Sequence, residues 1–154
     1  MKRLDSAARL IAVLERRGDA LRRQAARERG ALAALDGQIA ELRAAHAHLC
    51  ERLAASAPPK PYTRSELMRV RGKQAAIRHE IACGQIEADE LLERRQAAEQ
   101  ALRDSLAAAL SFERRRDAHR DWLARRRIEN ERLREAAAEA DITEGAGHGF
   151  NHQH

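Results

Sequence analysis

The chain has 154 residues, of which 44% are apolar, 3% aromatic and 34% charged. Much of the apolar share is alanine, which leaves too little bulk for a globular core, and the bias toward Ala, Leu, Glu and Arg is that of long helices and coiled coils. The net charge of +5 comes from 29 basic and 24 acidic residues interleaved along the chain, which points to solvated, ion-paired helix faces rather than a uniformly basic nucleic-acid surface.

Steps of three and four residues from Leu4 give Ala7, Ile11, Leu14, Gly18, Leu21, Ala25, Glu28, Leu32, Leu35, Ile39, Leu42, His46, Leu49 and Leu53. Only Gly18, Glu28 and His46 interrupt the apolar character. A 3.5-residue repeat keeps one seam facing a partner helix as both supercoil, so a first helix is predicted over about 3–56. Pro58, Pro59 and Pro61 end it, because proline lacks an amide donor and fixes its own φ. The turn is predicted over 57–63. Thr63 and Glu66 then form a T-x-x-E capping box that starts a second helix at about 64 and carries it to about 140.

The second ladder runs Leu67, Val70, Gln74, Ile77, Ile81, Gly84, Ala88, Leu91, Arg95, Ala98, Leu102, Ser105, Ala109 and Phe112. The expected fold is therefore all-α: an antiparallel coiled-coil hairpin over 1–142 whose second helix is the longer. If facing positions sum to 123, Leu53 meets Val70, His46 meets Ile77, Leu42 meets Ile81, Leu32 meets Leu91, Leu21 meets Leu102 and Ile11 meets Phe112. The same register sets Glu28 against Arg95 as a seam ion pair and Gly18 against Ser105. It keeps Cys50 and Cys83 too far apart to bridge within one molecule.

On this register the second helix outruns the first after about His119, leaving Trp122, Leu123, Ile128 and Leu133 without a partner helix. Residues 143–154 contain three glycines and no helical period, and are expected to form a flexible tail. No stretch reaches about 18 apolar residues, and no secretory signal opens the chain, so no membrane insertion and a cytoplasmic location are expected.

No nucleophile elbow, phosphate-binding loop or H-E-x-x-H occurs, and two helices alone form no water-excluding pocket, so neither enzyme activity nor a cofactor is expected. His148, His152 and His154 lie on a glycine-rich terminus with no cysteine or carboxylate to complete a shell, and read as a solvated tail rather than a metal site. Arg114, Arg115, Arg116, Arg120, Arg125, Arg126 and Arg127 cluster around Trp122, a pairing enriched at binding hot spots, and point to an acidic protein partner. A basic zipper needs a parallel dimer, which an intramolecular antiparallel pair does not supply, so nucleic acid is not an expected partner.

The layout of a fifty-residue helix, a short turn and a longer charged helix, with heptads opening at Met1-Lys2-Arg3-Leu4, resembles the YscO/FliJ group of type III secretion ATPase stalk proteins. The resemblance covers Met1 to about Ala140. It implies a non-enzymatic shaft, monomeric when free, whose termini-bearing end enters a hexameric ATPase ring and which links that ring to a membrane export gate; some members also handle export chaperones. On this sequence the entering end carries Leu4, Ile11, Phe112, Arg114, Arg115, Arg116, Arg120 and Trp122, continuing to Leu123 and Arg126. The turn end, at Pro61 and Tyr62, is left for the gate or a chaperone. A generic, homodimerising coiled-coil scaffold is the alternative.

Overall fold

The computed structural model describes residues 2–56 and 61–148, with side chains described over 4–56 and 61–144. Pro58 and Pro59 of the expected turn, and His152 and His154 of the expected tail, lie outside the described residues. The described residues form two helices packed against each other, α1 (Lys2–Ala55) and α2 (Arg64–His148), and include no strand.

Local chemistry accounts for the helix ends. Ser56 closes α1 by donating its hydroxyl to the Leu53 carbonyl at 2.6 Å. α2 opens on the reciprocal cap: the Thr63 amide donates to Glu66 Oε2 at 2.9 Å and the Glu66 amide to Thr63 Oγ1 at 3.3 Å. The Thr63 amide, and after it the Thr63 hydroxyl, hold the Glu66 carboxyl below its ordinary range. At the far end α2 continues beyond Ala140, where it was expected to stop. Glycines at 145 and 147 each cost only about 1 kcal/mol in a helix and do not break it, and the Thr143 hydroxyl bonds back to the carbonyls of Glu139 and Ala140.

The chain divides into two units, residues 22–106 and residues 1–21 with 107–154. In the first, every seam position from Ala25 to Leu53 and from Val70 to Ser105 is buried or half-buried, so both sequence ladders mark the contact. Their mutual register differs from expectation. Buried Ala25 and Ser105, and buried Ile39 and Leu91, sum to 130 rather than 123. Arg95 reaches Asp36, and a surface groove is shared by Gln38 and Ala45 on α1 with Arg94 and Glu87 on α2, all within one or two of that sum.

The correction is one heptad. Such a slide leaves the same seam facing the same way, so alternation alone cannot detect it. Level with Ala55 is residue 75, so α2 begins about eleven residues, or roughly 16 Å, beyond the end of α1. The nine steps from Ala55 to Arg64 can span that offset, since proline-rich chain extends by about 3.1 Å per residue. The sum of 123 rests on the matching of the two ladders alone, which a slide of one heptad preserves. Leu53 consequently faces Ile77 rather than Val70, Leu32 faces Ala98 rather than Leu91, and His46 comes opposite Gly84 rather than Ile77. Leu42 lies along Gly84, 3.6 Å from where a β-carbon there would stand, rather than against Ile81.

The expected Glu28–Arg95 ion pair is not formed. Arg95 Nε donates to Asp36 Oδ1 at 2.6 Å and its Nη1 to Glu99 Oε2 at 3.3 Å, and the Asp36 bond raises the guanidinium pKa further. Glu28 sits opposite Leu102, takes the Gln24 amide at 3.0 Å on Oε1, and keeps Oε2 buried without a hydrogen-bond partner. Cys50 and Cys83 are exposed free thiols, 3.5 and 3.6 Å from the Nε2 atoms of His46 and His79 one turn earlier.

In the second unit, a β-carbon on Gly18 would stand 3.9 Å from Phe112 Cβ, again a sum of 130. Phe112 therefore meets Gly18 and not Ile11. The α2 ladder continues beyond Phe112 through half-buried Arg116 and His119 to Leu123, which is 7% exposed. Pairing was expected to end near His119, and the heptad slide extends it. From 124 to 144 every residue is exposed, Ile128 at 50% and Leu133 at 68%; at a sum of 130 the first residue of α1, Lys2, is level with 128, so α1 has nothing to place opposite the residues beyond it.

A candidate protein-docking surface

Within the unit of residues 1–21 and 107–154, a shallow groove runs beside the seam, lined by Ser6, Ala7 and Leu10 of α1 and Ala118, His119 and Trp122 of α2. Ala7 and His119 belong to the ladders. The other four flank them. Small side chains at 6, 7 and 118 give the groove its depth, and Leu10 and Trp122, 42% and 41% exposed, form its apolar walls. The Arg126 guanidinium lies 5.9 Å from the Trp122 ring centroid and bonds Glu129 at 2.9 Å, which holds the indole in place.

The expected arginine cluster divides by partner. Arg120 pairs with Glu15 across the two helices. Arg116 binds Asp117 at 2.7 Å, and that bond raises its pKa. Arg125 donates to the Asp121 carbonyl at 3.3 Å. Arg114 and Arg115 are exposed. Like most surface pairs these contribute little stability, so the cluster is better suited to recognition than to holding the fold.

Of the other residues singled out from sequence, Ile11 and Leu123 are buried in the seam and Leu4 and Phe112 half-buried, so they support the surface rather than form it. Pro61 is exposed and Tyr62 half-buried, and both precede the α2 cap in the unit of residues 22–106. The sequence reading missed Leu10. Its signal was available: an apolar residue off the three-four ladder, on the flank that Trp122 shares. Among the described residues no three metal-ligating side chains come together, and no helix is long and apolar enough to cross a membrane.

Two long helices packed as an antiparallel coiled coil, with no strand among the described residues, define the class of coiled-coil hairpin proteins. The family model described as Salmonella surface presentation of antigen gene type M protein matches residues 5–146, and the chain belongs to that family. It is thereby a type III secretion protein of the YscO-like kind, in a family of structural and regulatory components. No curated protein and no solved structure gives a significant match.

Proposed function

We propose that this protein is the central stalk and regulator of a type III secretion export ATPase, working at the cytoplasmic face of the inner membrane as a monomer when free. The unit of residues 1–21 and 107–154 enters the hexameric ring, and the region around Pro61 and Tyr62 serves the export gate, with secretion chaperones as further partners. One observation carries the reading: α2 continues past Leu123 for more than twenty residues as an exposed, arginine-bearing helix with Ile128, Leu133 and Ile142 uncovered. Helix without packing is marginal in water, so such a length is an element that completes itself against another protein. A single asymmetric shaft in a six-fold ring biases subunit states only through differential affinity, which a one-sided charged and apolar surface provides.

The test is co-elution of the purified chain with its cognate ATPase, together with the rate of ATP hydrolysis. A complex and a raised rate are expected. An obligate homodimer with no effect on the ATPase would replace the stalk by a self-associating scaffold built on the same exposed apolar residues. Among charge reversals, Arg114→Glu leaves the fold least disturbed, whereas Arg120→Glu would face Glu15 and lose stability as well as binding.

A further inference from the structure

The groove walls repeat. Leu10 and Trp122 face each other across it, and one heptad along the same flank, on the side away from the extension, stand Arg17 and Arg115. Their numbers sum to 132, as Leu10 and Trp122 do, so the register set by Gly18 and Phe112 puts the two guanidinium groups on opposite walls, about 10 Å from the apolar pair. Neither arginine has an acid three or four residues away on its own helix. The residues three and four away are Val13, Leu14, Ala20 and Leu21 for Arg17, and Ser111, Phe112, Ala118 and His119 for Arg115. No ion pair or hydrogen bond of either side chain is formed among the described residues. Two other arginines do meet an acid across the helices, Arg120 at Glu15 and Arg95 at Asp36.

Facing like charges at coiled-coil flanks destabilise the pair, and opposite charges there select a partner. A cationic pair beside an exposed apolar pair is therefore complementary to one kind of surface. We propose that this groove is the docking site for an amphipathic helix of another protein, one that sets an apolar side chain between Leu10 and Trp122 and a carboxylate, seven residues away, between Arg17 and Arg115. The partner lies along the flank as a third helix. This deepens the docking role assigned above to the same unit and names the chemistry of what docks.

The test uses the full chain and the fluorescence of Trp122, its single tryptophan, which lies in the groove wall. The probes are three-turn helical peptides with a leucine and, seven residues away, a glutamate or a lysine, each made in both chain directions. Saturable, blue-shifting binding of a glutamate peptide is expected, with the lysine peptides roughly tenfold weaker or worse. Arg17→Glu should invert that preference and, by giving Arg115 an opposite charge, raise the melting temperature. A gain in stability coupled to a loss of the glutamate peptide separates a docking role from a structural one. Equal binding of glutamate and lysine peptides, absence of binding by either, or an unchanged preference in Arg17→Glu overturns the proposal. None of these results depends on the ATPase, so the stalk reading stands or falls separately, on co-elution and hydrolysis.

Discussion

Glu28 occupies a seam position opposite Leu102 with one carboxylate oxygen buried and unpartnered, an arrangement that costs desolvation with no bond in return. Replacing it with leucine should raise stability by about 1–2 kcal/mol, read as a shift in the urea midpoint. Gly18 carries a similar reserve: an added methyl would make ordinary contact with Phe112 at 3.9 Å, so Gly18→Ala should stabilise by about 1 kcal/mol through helix propensity alone. A lower midpoint would mean that the helices approach more closely there than the spacing allows. At the α2 cap the sign is set by Glu66, whose pKa is depressed in the folded state. Its contribution is complete above the unfolded value of about 4.3 and is lost as pH falls through the lower folded value. Protection factors of the amides near the start of α2, taken relative to intrinsic exchange at each pH, should therefore fall on acidification below that range, and Glu66→Gln should remove that fall.

Between elements, the question is which turn of α2 meets which turn of α1. In a chain with Cys50 and Cys83 replaced by serine, Ile39→Cys with Leu91→Cys should oxidise readily to a disulfide, while Leu32→Cys with Leu91→Cys should not. A one-heptad slide separates the second pair by roughly 10 Å along the axis, beyond the reach of a disulfide of about 7 Å between α-carbons. The reverse result would restore the sum of 123. What was legible in the sequence follows the same division. The seam, the cap at Thr63 and Glu66 and the two-helix fold all follow from spacing and local chemistry, and each is found where those placed it. The register was not legible, because heptads shifted by one repeat bury the same kinds of residue. Glu28 is the acid that the α1 ladder offers to Arg95, whereas the acid Arg95 meets is Asp36, one residue beyond the seam position opposite it and off the ladder. On the docking surface Trp122 and the arginines stood out by composition, whereas Leu10 and Arg17 gained meaning only once the register placed them opposite Trp122 and Arg115.

Across the molecule as a whole, α2 has one stretch packed against α1 and another left uncovered. Among the described residues every buried one lies at or before Leu123, and the α2 side chains described beyond it, at 124–144, are exposed. A chain ending at Arg127 keeps the seam, the groove, the cap and every interhelical ion pair described above. Its melting temperature should stay within a degree or two of the full chain's, since surface removal away from packing contacts changes stability by less than about 0.5 kcal/mol. The helical circular-dichroism signal should fall only in proportion to the residues removed. Stimulation of the cognate ATPase should fall with the truncation, and the residual association should weaken with salt, because arginines upstream of the cut act through screened charge. Peptide binding at Trp122 should persist, since the groove is intact. A large drop in melting temperature would show that the extension packs on the coil rather than projecting from it, and undiminished stimulation would move the contact with the ring onto the paired helices.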